Sequence, residues 1–552
     1  MSDDRLLPTS RSTDLPTFKV LSEGTELPGS VTVISIMVNK SVNKIPLARL
    51  VFEDGDAAEE SFQLSSGQQL IPGKAIEIQA GYHSDVQTIF KGVVVKQQLR
   101  IKGESHSHLV VECKDKSYRL TVGRKNTYFN DQTDSDIMEQ VIGGYRDVQA
   151  EVESTGVQHR EMVQYHVSDW DFVLSRADVN GQVALVDDGK IVIKKPDFSS
   201  DPIVTLIHGA TVLRFDGILD ATHQQRTIQC QAWDAANQAM TSVDAADPPV
   251  TEAGNLTSAA LAGKVTEDTG LMCHSGNVPA QELQAWADAV KMKRVLSRVR
   301  GVITCHGLPQ LIPGHTITLQ GFGDRFNGKV FVSGVCHQIA DGSWEMDVQF
   351  GLAPQHYARQ PDIRDMPAAG LLPAVNGLQI GVVSQLQDDP DGEYRVLVKM
   401  PAVDAEAQGA WARMACLDAG NERGAFFRPE INDEVVLGFL NDDPRDAVIL
   451  GMLNSSSLPA PVTASDDNHE KGFYPRDQLK LVFNDDQKSI RLETPNGNVV
   501  QLSEDEGHVL VTDENGNKVE LSSEGIAMES AGDISIKAKE PKTFWPKNFL
   551  DG

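Results

Sequence analysis

Cysteine is scarce in this chain: six residues among 552, at Cys113, Cys230, Cys273, Cys305, Cys336 and Cys416, scattered and without Cys-x-x-Cys spacing. That scatter excludes a disulfide scaffold and a spaced structural zinc site, and the six read as buried thiols of a reduced compartment. Long apolar runs are also missing. Nothing approaches the roughly eighteen residues of a membrane span, and the acidic start Met1-Ser2-Asp3-Asp4 lacks a signal-peptide core. The expectation is synthesis in the cytoplasm, with any export left to a dedicated machine. Basic residues are outnumbered, 50 Lys and Arg against 78 Asp and Glu, for a net charge of −28. Such a surface repels phosphate backbones and anionic lipid, which disfavours generic nucleic-acid binding.

Signatures of catalysis are lacking too. There is no Gly-x-Ser-x-Gly elbow, no His-Glu-x-x-His helix and no cysteine in a nucleophile setting. Gly323-Asp324-Arg325-Phe326-Asn327-Gly328-Lys329 has phosphate-loop spacing, but Val330 stands where Ser or Thr should bind Mg²⁺, and Phe331-Val332-Ser333 continue a strand. A strand-to-strand turn is expected. His106 and His108 could share a strand face, yet no third or fourth ligand accompanies them. In the pairs Cys273-His274, Cys305-His306 and Cys336-His337, strand neighbours point to opposite faces, which favours structural cysteine over a soft-metal site. No catalytic, cofactor-binding or metal-binding residue is assigned, and no cofactor is expected.

What the chain does have is a repeat near its C-terminal end. Same-face apolar pairs recur as Ile490/Leu492, Val500/Leu502, Val509/Val511, Val519/Leu521, Ile526/Met528 and Ile534/Ile536, with Gly497, Gly507, Gly516, Gly525 and Gly532 between them. Thr494-Pro495-Asn496-Gly497-Asn498 and Asp513-Glu514-Asn515-Gly516-Asn517 are near-copies. Period-two alternation with Asn-Gly corners predicts short strands and tight turns, repeated as a solenoid, prism or β-helix. Such strands expose an apolar row and cannot make a stable globule alone, so something must cover them. Winding with identical chains would do so; an ordinary meander packed on the rest of the chain is the plainer reading.

The length suggests about three or four domains. Strand signals fill residues 18–121, as at 31–38, 45–52, 90–95 and 109–113. Helices are expected over 134–143, after Ser168 as N-cap, and within 279–300, with strands returning at 183–186, 191–193, 227–233 and 301–351. The fold class is mainly β. The expected division is a flexible arm at 1–16, a hub of two barrel-like domains with inserted helices at 17–355, and a proline-rich linker at 356–374. A compact strand-rich unit at 375–454, a second linker at 455–476, a β-helical needle at 477–538 and a tip segment at 539–552 follow.

Residues 375–454 carry the most specific pattern. Arg395-Val396 opens a strand ending at Pro401, followed by Trp411-Ala412-Arg413, the corner Pro429-Glu430-Ile431-Asn432-Asp433-Glu434-Val435, and Asp443-Pro444 before Val448-Ile449-Leu450-Gly451. Strand by strand, this resembles the OB-fold barrel of VgrG proteins and of phage central-spike proteins. Gln164-Tyr165 with Asp169-Trp170-Asp171-Phe172-Val173-Leu174, and Gly307-Leu308-Pro309 with Ile312-Pro313-Gly314 and Val335-Cys336-His337, look like the same family's hub. Asn432-Asp433 departs from the commoner Gly-x of the corner.

The resemblance implies a homotrimeric spike with a C-terminal trimeric β-prism or β-helix needle. In it the hub adapts a sixfold inner tube to a threefold point, and sheath contraction drives the needle through the target envelope. Implied partners are inner-tube and baseplate proteins at the hub and a PAAR-like cap at the needle tip, where Phe544-Trp545 lie, with transient contact to the target membrane and no nucleic acid. The short needle, with only 539–552 after it and no appended effector, resembles the spike of an extracellular contractile injection system of the antifeeding-prophage or Photorhabdus virulence cassette type. The particle would be released or delivered extracellularly. Alternatives are a type VI secretion tip or a phage baseplate spike, and beyond those a cell-wall hydrolase, an OB-fold binder of single-stranded nucleic acid, or a monomeric carbohydrate-binding protein.

Overall fold

The computed structural model describes residues 15–102, 106–404, 406 and 408–537. Most of the 1–16 arm, the last residue of the 477–538 span and the whole 539–552 segment, Phe544-Trp545 included, lie outside the described residues. The protein is mainly β, and divides into two compact units, 1–365 and 366–552.

The N-terminal unit is organised by one thirteen-stranded sheet. Its middle is the antiparallel pairing of Val33–Ser41 with Gly328–Ala340, which sets Val38 opposite His337. To one side follow Leu47–Glu53, His106–Lys114, Asp85–Lys102, Ala75–Tyr82 and Pro16–Ser22; to the other, Ser343–Phe350, Val299–His306 and Val212–Leu219. Alternation along these strands feeds two separate cores. Val38, Leu50, Phe52, Ile78, Phe90 and Val111 fill the first; Leu206, Ile303, Ile317, Val332, Val335 and Val348 fill the second. Two lobes thus share one sheet.

Four helices interrupt the strands: α1 (Asp134–Gly143), α2 (Asp169–Val179), α3 (Ser258–Leu261) and α4 (Ala280–Ser297). Thr133 and Asp136 form a reciprocal capping box at α1, a cap not among the sequence expectations, and Ser168 Oγ accepts from the Asp171 N–H at 3.1 Å at α2, whose expected N-cap is Ser168. These two helices bury Met138, Ile142, Val173 and Leu174 with Ala184 and Ile191 of a small sheet built from Gln149–Val152, Lys190–Lys194 and Val183–Asp187. Helix α4 packs Leu283, Ala287 and Val290 on Ile228, Cys230 and Ala232 of a second small sheet.

Two sequence expectations change. Residues 356–374, read as linker, are bound down at their start: the Tyr357 hydroxyl donates to Asp171 Oδ1 at 2.8 Å, and the Arg124 guanidinium donates to the carbonyls of Asp362, Ile363 and Arg364. Proline content signalled the lack of strands and α-helices there, and short 3-10 turns at Tyr357–Arg359 and Pro367–Gly370 with these tertiary bonds supply the order. All six cysteines are free, but Cys273 and Cys416 are exposed, so only part of the set consists of buried thiols. Cys273 sits on the outward face of its strand, opposite Gln231.

His337 lies wholly inside the sheet junction against Trp344, with ring centroids 5.8 Å apart. Burial, with Lys40 nearby adding to it, pushes its pKa down to about 3. The unfolded chain therefore binds a proton that the folded chain refuses between the ordinary histidine value and about 3. The stability this histidine allows is intact above that window and falls with pH through it, by about 1.4 kcal/mol per unit for one proton. The expected result is a thermal midpoint that drops on acidification below pH ~6.5, and a flatter limb in His337→Gln, measured by calorimetry at several pH values.

Candidate functional site: the barrel and the needle face

In the C-terminal unit, five strands close a barrel in the order Gln379–Gln385, Val396–Lys399, Ala410–Met414, Ala447–Leu453, Glu434–Phe439. Four contacts are antiparallel and one, Ala410–Met414 with Ala447–Leu453, is parallel. Closure leaves no free edge around the barrel. Its interior is small and aliphatic: Val383, Val396, Val398, Ala412, Val435, Leu437, Ala447 and Ile449.

Polar side chains within this stretch hold its corners. Asp389 accepts from the backbone N–H groups of Asp391, Glu393 and Arg395 and from the Arg395 guanidinium, at 2.6 Å from Nη2. Hydrogen bonds from Arg395 hold its carboxyl far below the usual range. Asp443 does the same for the turn before the last strand, taking Arg445 Nη2 at 2.6 Å and the Arg445 N–H at 2.9 Å. At the other corner Asn432 has φ +74°, the left-handed region that glycine and asparagine tolerate best. Asn432 therefore does the work of the glycine it replaces. The Asn432 N–H donates to Val383 O and the Val383 N–H to Asp433 O, tying the corner to the first strand.

Downstream lies a seven-stranded antiparallel sheet in which every strand pairs with its sequence neighbours: Glu470–Phe473, Lys480–Asn484, Ser489–Glu493, Val499–Ser503, His508–Thr512, Lys518–Ser522 and Gly525–Glu529. It begins before the expected start at 477, because Glu470-Lys471-Gly472-Phe473 shows no apolar alternation yet pairs fully with 481–484. It also ends earlier. Ile534 and Ile536 lie outside any strand, since Asn517 Oδ1 accepts from Ser530 Oγ and the Ala531 N–H and turns the chain off the ladder.

Register aligns the apolar pairs into two columns on one face. Leu481, Leu492, Val500, Val511, Val519 and Met528 form one; Phe483, Ile490, Leu502, Val509, Leu521 and Ile526 form the other. Among the described residues the two columns stay largely uncovered: Leu492 is 49% exposed, Leu502 46% and Met528 56%. The opposite face is polar and partly buried, with Arg491 Nη1 donating to Gln501 Oε1 at 2.7 Å and Gln501 Nε2 donating to Glu506 at 3.2 Å. The near-copy turns fold alike. Gly497 and Gly516 sit at φ +89° and +86°, and Asn498 and Asn517 each bond back to the first residue of their own turn. Asn498 Oδ1 reaches further, accepting from the Glu514 N–H of the next turn along the same edge at 3.2 Å.

The other candidates from the sequence form no site. The 323–329 segment is the turn between Thr316–Gln320 and Gly328–Ala340, and the Lys329 ammonium is committed to the carbonyls of Phe198 and Ser200. His108 lies opposite Glu53 on a strand pair, and no cluster of three or more metal-ligating side chains occurs among the described residues. A buried network that the sequence did not announce does exist. Asp134 accepts from Arg176 Nε at 2.6 Å and from Asn180 Nδ2 at 2.8 Å and faces His159 Nε2 at 3.1 Å, while Arg176 also reaches Glu282. Its members come from distant segments, so no spacing could reveal it.

Residues 12–341 match the family model described as the Alg8 N-terminal domain. The chain belongs to that family. Residues 379–453 match the type VI secretion system/phage-baseplate injector OB domain, and these are the residues of the closed barrel. The resemblance of the sequence to VgrG and phage-spike proteins therefore holds. Among solved structures, a tail protein of Neisseria meningitidis MC58 is similar at 14% identity over 63% of this chain and 99% of its own, with a TM-score of 0.46. The 43 kDa tail protein of prophage MuSo2 from Shewanella oneidensis is 14% identical over 61% of this chain and 98% of its own, TM-score 0.47. An E. coli component of the type VI secretion system is 15% identical over 79% and 100%, TM-score 0.41. No curated protein matches the sequence. No helix among the described residues of this family member is long and apolar enough to cross a membrane.

Proposed function

We propose that this protein is a structural, non-enzymatic spike at the tip of a contractile injection apparatus, acting as a homotrimer. The observation that carries the reading is the uncovered two-column face of the needle sheet directly after an injector OB domain. A sheet face of that composition is stable in water only when covered. Two further copies of the same face, arranged about a threefold axis, cover it symmetrically and leave the polar faces outward.

The division of labour follows the domain reading. The hub, 17–355, seats on inner-tube and baseplate proteins, the barrel at 375–454 is the collar, and the needle punctures the target envelope under sheath contraction. A PAAR-like cap closes the C-terminal end. The particle is a phage-tail-like assembly built in the cytoplasm and released or delivered extracellularly, of the extracellular injection type; a type VI tip and a phage baseplate spike share the same mechanics. Nucleic acid is a poor partner for the barrel, since Arg395, Arg423 and Arg445 are all paired with aspartates of their own loops.

Light scattering on the full chain and on a version ending at Pro461 tests the proposal. The expected masses are three chains for the first, persisting in mild detergent, and fewer for the second. A single-chain mass for both would overturn it.

A further inference from the structure

Asparagine followed by glycine occurs five times in the chain, at Asn180-Gly181, Asn327-Gly328, Asn376-Gly377, Asn496-Gly497 and Asn515-Gly516. The pair is chemically labile, because glycine has no Cβ to keep its backbone nitrogen away from the Cγ of the preceding asparagine. Attack needs two freedoms: the carboxamide must turn, and the glycine N–H must leave any hydrogen bond and give up its proton. The fold grants them unequally. Asn180 is 8% exposed, with Nδ2 bonded to Asp134 and to Arg176 O, and the Gly181 N–H donates to Asp178 O. Asn327 Oδ1 accepts from the Phe322 N–H at 2.8 Å, and Gly328 pairs with Leu319 at the start of a strand. In the needle turns the Gly497 N–H donates to Thr494 O at 2.9 Å and the Gly516 N–H to Asp513 O at 3.3 Å.

Asn376-Gly377 has neither restraint. Both residues are exposed, and among the described residues neither the Asn376 carboxamide nor the Gly377 N–H makes a hydrogen bond. A Cβ built on Gly377 would meet only open space. The one bond to Asn376, from Gln379 Nε2 at 3.4 Å, goes to its backbone oxygen and leaves the side chain to turn. The pair lies between Val375, whose N–H donates to Asp442 O at 2.9 Å, and the first barrel strand.

We propose that Asn376-Gly377 is a site of spontaneous, irreversible deamidation, converting while the other four pairs persist. The Gly377 nitrogen, its proton lost to solvent hydroxide, bonds to Asn376 Cγ. The Cγ–Nδ2 bond breaks, Nδ2 leaves as ammonia with a proton taken back from water, and a succinimide ring closes. Water then opens the ring at either carbonyl, giving aspartate, or isoaspartate with the main chain rerouted through the side-chain carbon. Either product adds a negative charge, and isoaspartate lengthens the chain by one carbon between the Val375 tie and the barrel strand. The proposal does not depend on the spike reading.

For the test, full-length protein is kept in mildly alkaline buffer made with heavy-oxygen water, so that ring opening labels the product. It is then digested in ordinary water and the five peptides are compared by mass. Conversion at Asn376 should outrun that at Asn496 and Asn515 by about fivefold, the barrier equivalent of one net hydrogen bond, with Asn180 and Asn327 unconverted. In guanidinium chloride the five rates should draw together, because only the folded chain tells the pairs apart. Conversion of the needle pairs as fast as Asn376 in the folded protein would overturn the proposal. So would an Asn376 that stays intact over a period in which the unfolded chain converts.

Discussion

Val500→Asp combined with Val511→Asp should convert the proposed three-chain particle to single chains in light scattering. The two valines face each other in adjacent strands of one column, 37% and 43% exposed in the single chain. Covering a half-exposed aliphatic side chain is worth roughly 1 kcal/mol. Six strands contribute two such side chains each, so the proposed association would be held by many small, similar terms. Burying an unpaired carboxylate costs several kcal/mol, and two per chain recur in every copy. The matched control is Ala527→Asp on the polar face, opposite Glu520, which should leave the mass unchanged. A trimer that survives the double valine substitution would show that this face is not where the copies meet.

Arg176→Leu should lower the stability of the N-terminal unit by about 3–5 kcal/mol, the usual consequence of leaving one half of a buried pair behind. Asp134 is 1% exposed and loses two of its four contacts, both from Arg176. Burial alone would raise the Asp134 pKa; hydrogen bonds from His159 and Arg176 outweigh it and hold the carboxyl well below its ordinary value. Burial likewise opposes the Arg176 charge, and the carboxylates beside it restore it. A depressed carboxylate contributes stability above its unfolded value and loses it as pH falls. Arg176→Leu takes away part of that pH-dependent contribution, so its acid limb should be flatter and its stability gap to the natural chain should narrow as pH falls. Asp134→Leu added to Arg176→Leu should recover most of the loss, because the fully buried carboxylate is gone and Glu282, the other partner of Arg176, is 19% exposed and keeps contact with water. Calorimetric midpoints of the three proteins across pH 3–7 decide the matter, and an unchanged acid limb in Arg176→Leu would refute it.

The parts of this protein that were legible in sequence are those where a local rule and the tertiary answer agree. Asp389, Asn432 and Asp443 mark barrel corners because a turn needs their side-chain oxygens or their tolerance of positive φ, so the motif and the geometry are one thing. The columns from Ile490 to Met528 follow from period two. Glu470–Phe473 escaped because it joins the sheet by backbone pairing with no apolar side chains to announce it. The strap after Tyr357 escaped because bonds from Arg124 and Asp171 order a segment whose composition says coil. Asp134 is an ordinary residue at an ordinary spacing, and only burial makes it informative.

Each needle strand bonds only to the strands immediately before and after it in the chain. Such pairing involves short loops and low contact order, so each sheet can form hairpin by hairpin as the polypeptide leaves the ribosome, without waiting for another copy. In the proposed trimer, only the covering of the apolar columns needs other chains. The hazardous species in making such a trimer is accordingly a folded single chain, and its lifetime is set by concentration. Synthesis of several chains from one message, close together, is the circumstance that shortens it.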